Sequence, residues 1–251
     1  MPSLPLPDLP LALLIAIPLI VLAGYTIFGA TGFGSAIVCV PLLAHMVSLT
    51  TAVATMTSLD FFAANHTAWH HRHSIAWHEF KRIAPAAVVG IALGGTLLLN
   101  LPPAPALLAL AIFVGVYGVY VLSGAPRPQH APGWLALPLG VVGGVFSCLF
   151  GTGGPIYVVF LSARIHDKGA LRATAALMVV LSVWLRLAIF IATGVLHAPL
   201  LFLVALLLPA MAVGVWLGHK LHRRLSSAGV LRLIAGLLVV NAVTLLVRVL
   251  A

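Results

Sequence analysis

The run GATGFGSAIVCVPLLAHM, residues 29–46, sets three glycines and a threonine between one apolar stretch and another that lasts barely three helical turns. Its meaning depends on the solvent around the chain. Of the 251 residues, 62% are hydrophobic and 7% charged, against about 25% charged in an ordinary soluble domain, and the mean hydropathy is +1.19. Apolar runs of about 20 residues recur from end to end, the length an α-helix needs to cross roughly 30 Å of hydrocarbon. The runs are continuous and do not alternate, which argues against a β-barrel. Inside a bilayer each backbone polar group must then find its partner within its own helix. The fold class expected is an all-α polytopic membrane protein.

Long apolar segments fall at about 8–29, 49–68, 83–100, 104–123, 133–150, 169–193, 198–218 and 227–249, with short ones at 34–46 and 154–163. The first has no Lys or Arg before it and reads as a permanent span, not a cleaved signal peptide. If each short segment turns the chain back as a hairpin, Arg72, Lys81, Arg82, Arg127, Arg164, Lys168, Arg172, Lys220, Arg223, Arg224 and Arg232 share one face. Arg248 alone is opposite, and Arg186 is intramembrane. The positive-inside rule makes the crowded face cytoplasmic and the N-terminus external. The net charge of +9 thus orients the protein in a cell (inner) membrane and is no sign of nucleic-acid binding.

The two halves resemble each other. PAAVVGIALG at 85–94 and PAMAVGVWLG at 209–218 agree at six of ten positions, 124 residues apart, and FGATGFG from Phe28 parallels FGTGGPI from Phe150, 122 apart. Residues 1–124 and 125–251 are therefore expected to be two repeats within one membrane domain. Each is a helix with a short broken or re-entrant helix, followed by three transmembrane helices, giving eight long spans and two short segments. An odd number of net crossings per half inverts the second repeat relative to the first, as in secondary transporters.

The opening run is then an interruption that only protein or trapped water can satisfy. GATGFG and GTGGP each precede a short helix whose first N–H groups are unpaired and whose dipole is positive at that end. Two such ends facing one cavity make an anion site. Thr31, Gly32, Gly34 and Ser35 supply one wall and Gly151, Thr152, Gly153 and Gly154 the other, with Pro155 suited to a first helical turn. At 1.5 Å per residue, Asp60 lies roughly 16 Å and Arg186 about 10 Å from the outer ends of their helices, so the two are expected to come within reach. Arg186 suits the anion and Asp60 a coupling proton or cation. Asn65, offset by 121 residues from Arg186, is a polar contact in the related place of the first half.

GGVFSCLFGTGGPIYVVFLSA, Gly143 to Ala163, together with GATGFGSAIVCVPLL, Gly29 to Leu43, resembles the sulfite exporter family of TauE/SafE type, also described as the toluene sulfonate uptake permease group. The resemblance spans nearly the whole chain. It implies two four-span halves and transport of sulfite, organosulfonates or related small anions, in some cases with a coupling ion.

The stretch NHTAWHHRHSIAWHEF holds five histidines, and imidazoles suit transition metals. A divalent-metal permease using the loop His66–His78 is therefore one alternative, and a non-transporting membrane scaffold another. Exposed interfacial histidines, flanked by Trp69 and Trp77 as an aromatic belt, are the simpler account, and no metal site is assigned. Cys39 and Cys148 sit singly in apolar runs and read as small buried hydrophobes. Four acidic residues and the lack of GxxxxGK[ST] leave no catalytic grouping, so no enzyme and no cofactor are expected. The partners expected are a small anionic substrate and the lipid bilayer, with no nucleic acid; homo-oligomer formation is left open.

Overall fold

The computed structural model describes residues 11–124, 131–222, 236 and 238–247. The described chain is helical: α1 (Leu11–Thr31), α2 (Ser35–Leu43), α3 (Leu49–His70), α4 (Trp77–Asn100), α5 (Pro103–Leu122), α6 (Ala136–Phe150), α7 (Gly153–Ser162), α8 (Lys168–Ala192) and α9 (Ala198–His222). A further apolar helix covers Leu238–Val247. The span read at 227–249 and the basic residues Arg127, Arg223, Arg224, Arg232 and Arg248 lie partly or wholly outside the described residues.

Five of the described helices are long and apolar enough to cross a membrane: Trp77–Leu98, Ala104–Leu122, Gly133–Phe150, Lys168–Ala192 and Ala198–Lys220. The two short segments emerge as α2, nine residues, and α7, ten residues. One segment departs from expectation. The segment read at 49–68 forms the 22-residue helix α3, but it is not among the five; its polar residues Thr55, Thr57, Ser58, Asp60 and Thr67 are all buried. α3 is packed by α2, α8 and α9, so its polar residues meet protein instead of lipid.

The packing follows a regular rule. α4 lies along α6 and α9 along α1, the two most extensive contacts; α3 packs on α8, while α2 folds back on α1 as α7 does on α6. The matched decapeptides make the two main crossings. A methyl group on Gly144 of α6 would collide with the Ala87 carbonyl oxygen of α4, and one on Gly218 of α9 with the Thr26 carbonyl oxygen of α1. In lipid, helix association gains little from hydrophobicity and depends on such close backbone approach.

The end of the bundle that carries the basic loops is tied by polar contacts. Asp167 caps α8 by accepting from the Ala170 N–H at 2.6 Å. Arg164, just beyond α7, pairs with Glu79 of α4 and donates to the Ala131 carbonyl at 2.7 Å. At the other end Ser48 caps α3 through the Thr51 N–H at 3.2 Å. Gly144→Val is expected to lower stability by about 1–3 kcal/mol by overpacking the α4–α6 crossing, while Val116→Leu on the exposed face of α5 leaves it unchanged. Thermal unfolding of the two purified variants measures the contrast.

Candidate functional site

Both breaks depend on backbone that glycine adopts readily. Gly32, Gly34 and Gly151 have φ of 84°, 94° and 73°, the left-handed region that penalises a Cβ. The breaks meet inside the bundle. A Cβ on Gly151 would stand 2.8 Å from the Ala36 Cβ, and one on Gly154 would stand 3.0 Å from the Phe33 Cβ. The start of α2 and the start of α7 are therefore neighbours.

Where they meet, four polar side chains converge. Asp60, near the middle of α3 and 1% exposed, accepts a hydrogen bond from the Tyr25 hydroxyl at 2.7 Å and another from the Ser35 hydroxyl at 2.8 Å, both on Oδ1. Its Oδ2 lies 4.0 Å from Nη2 of Arg186 on α8. That is longer than a charge-assisted hydrogen bond of about 2.7–2.9 Å. Arg186 is the largest fully buried side chain among the described residues. Its Nε donates to the Ser182 carbonyl at 3.4 Å, while Nη1 has no hydrogen-bond partner. A Cβ on Gly151 would sit 3.0 Å from that same Nη1. The next residue, Thr152, caps nothing: its hydroxyl is buried and equally without a partner.

The other expected residues fall as follows. The Thr31 hydroxyl is taken up by its own break, donating to the Ile27 or Phe33 carbonyl and accepting from the Phe33 N–H. Gly32 lets the chain pass against the Arg172 backbone, Gly34 precedes α2, and Gly153 packs on the Gly143 carbonyl and Ser147. Asn65 is half-buried; its amide donates to the Phe61 carbonyl at 2.7 Å and accepts from the Trp184 indole at 3.4 Å.

Three features escape a reading of the sequence alone. Tyr25 lies in the first apolar run. The Tyr157 hydroxyl, 3.5 Å from that of Ser182, lies beside the Arg186 backbone contact. Arg172 donates to the Gly29 carbonyl, a cation at the negative end of α1. The repeat offset of 122 residues held the signal for the first two. It carries Tyr25, Ser35 and Asp60 onto Ser147, Tyr157 and Ser182, all three with hydroxyl side chains.

Glu79, the acidic residue of the histidine stretch, is engaged by Arg164 and stands 3.7 Å from Arg82. Among the described residues no three His, Cys, Asp or Glu side chains form a group that could hold a metal ion. Cys39 and Cys148 are buried and free.

A bundle of membrane-length helices, two of them broken at one buried charged pair, defines a polytopic membrane protein with an intramembrane polar site. The profile of the family described as sulfite exporter TauE/SafE matches residues 16–245, and the chain belongs to that family of membrane transporters. It is also similar to a protein described as probable inner membrane transporter protein TsaS, from Comamonas testosteroni. The two are 27% identical over 175 residues, covering 68% of this chain and 72% of the relative. No solved structure matches.

Removing one member of a buried ion pair strands the other and costs about 3–5 kcal/mol. Asp60→Asn and Arg186→Met are each expected to destabilise the protein, and the double variant by less than the sum of the two. Chemical denaturation of the four proteins measures the coupling; additivity would show that the pair does not interact.

Proposed function

We propose that the chain is a secondary transporter of a small anion, sulfite or an organosulfonate, in the inner membrane, with its basic loops cytoplasmic and its N-terminus outside. The observation that carries the reading is the free half of Arg186. A guanidinium in a dry interior keeps one donor nitrogen unpaired, beside an unpaired Thr152 hydroxyl, at the N-terminus of α7. Buried polar groups without partners are costly, and an oxyanion supplies the missing acceptors to both. The positive end of the α7 dipole adds to the attraction.

In this reading the halves 1–124 and 125–251 are inverted-topology repeats. Support comes from the paired packing, α4 on α6 and α9 on α1, and from the glycines of the matched decapeptides at both crossings. With Phe33 against Gly154 and Ala36 against Gly151 the breaks touch, so alternating access requires them to separate. A cavity of about 200 Å³ bordered by Leu98, Leu101, Leu107, Leu149 and Phe150, the residue before Gly151, would serve as the outer approach. Asp60 shares Arg186 with the anion and carries the coupling proton or cation, held by Tyr25 and Ser35. The walls formed by Thr31, Gly32, Gly34 and Ser35 and by Gly151, Gly153 and Gly154 shape the site, and Asn65 borders it on α3. The sulfur-anion assignment draws on the family's description and on the relative's name.

Proteoliposomes containing the purified chain are expected to accumulate radiolabelled sulfite or an aryl sulfonate. A hydrogen bond to a charged group is worth about 1.5–3 kcal/mol, so Arg186→Gln should cut uptake by roughly ten- to a hundredfold and Thr152→Val by a smaller factor. Replacing His73 and His78 should leave it intact. Uptake that is indifferent to both Arg186 and Thr152 would remove the proposed site.

A further inference from the structure

At the basic end of the bundle, away from the paired breaks, α3 and α9 part to leave a cleft of about 370 Å³. Ala63, Met211 and Val215 form its buried apolar floor, and Phe62 and Trp216, 48% and 54% exposed, form its open rim. His66 and His219 stand at its end, each about one turn from the terminus of its helix, roughly 6 Å in at 1.5 Å per residue. His219 is also the last residue but one of the apolar span Ala198–Lys220, so the end of the cleft coincides with the end of that span.

Basic side chains ring this end of the cleft, and Arg172 and Lys220 carry its charge. The rings of His66 and His70 stack at 6.2 Å between centroids, His70 and His71 meet at 5.0 Å, and His71 and His219 at 6.3 Å, an arc of four imidazoles around the mouth. Arg172 stands within electrostatic range of His219, and the Lys220 ammonium lies 3.7 Å from the centroid of the Trp216 ring at the rim. Nε2 of His219 is buried without a hydrogen-bond partner. Each described carboxylate is occupied elsewhere: Asp60 at the central site, Glu79 with Arg164, and Asp167 at the cap of α8. The stacked rings form no group that could hold a metal ion.

We propose that this cleft binds an anionic phospholipid, its phosphate among His66, His219 and Lys220 and an acyl chain along Phe62, Ala63, Met211 and Val215. A free anion would use only the basic end, and a zwitterionic or neutral lipid only the groove; the two features lie end to end, as they do in a phospholipid. Basic pockets between transmembrane helices at the headgroup level recognise anionic lipids by this combination, and the tryptophans suit the interface. The inference stands apart from the identity of the transported anion.

The test is the melting temperature of the detergent-purified full chain with dioleoylphosphatidylglycerol, dioleoylphosphatidylcholine or inorganic phosphate. At about a hundredfold excess over its Kd the anionic lipid should raise the midpoint by about 5–10 °C, and the other two should not. Both the double variant His66→Gln/His219→Gln and Ala212→Trp, which fills the groove from an alanine of its lining, should lose the shift. If the double variant fails to fold, Ala212→Trp alone decides. An equal shift with phosphatidylcholine, an equal shift with phosphate, or a phosphatidylglycerol shift that survives in the variants would overturn the proposal.

Discussion

The structure depends on one buried ion pair that is only partly closed. Asp60 and Arg186 come from α3 and α8, which pack together, and their nearest polar atoms are 4.0 Å apart. In a low-dielectric interior neither charge is tolerable alone. The chain gives one carboxylate oxygen two hydrogen bonds, from Tyr25 and Ser35, and sets the guanidinium 4.0 Å from the other. The guanidinium is satisfied incompletely, and the centre keeps one donor nitrogen, Nη1, without a partner.

The backbone around the pair follows from the same constraint. For Ser35 to reach Asp60, α2 must start deep within the bundle, so the chain breaks at Gly32 and Gly34 instead of continuing as one helix. For Arg186 to lie open on one side, the chain must pass it without a Cβ, which Gly151 provides. The crossings at Gly144 and Gly218 hold α6 on α4 and α9 on α1, and the short helices α7 and α2 pack on α6 and α1 in turn. Packing, breaks and polar centre are thus parts of one solution to the burial of charge in an apolar solvent.

Much of this was legible in the sequence because membranes impose few alternatives. Glycine, threonine and proline interrupt apolar runs visibly, so α2 and α7 were located to within a few residues. The two intramembrane charges were conspicuous for the same reason. α3 was harder: its span followed from length, but its polar face could be understood only once neighbours covered it. Tyr25, Tyr157 and Ser182 were hidden because a hydroxyl in an apolar run has no period of its own; only comparison of the halves at their offset singles them out. The cleft between α3 and α9 was illegible, since His66 and His219 are 153 residues apart and meet only through the packing of the helices.

The most direct test of the central claim is to locate an oxyanion in the protein. Crystals grown with selenite, an anomalous scatterer of sulfite's shape and charge, should give an anomalous peak within hydrogen-bonding distance of both the Arg186 guanidinium and the Thr152 hydroxyl. A peak confined to the basic loops, with Arg186 still facing Asp60 alone, would contradict the account.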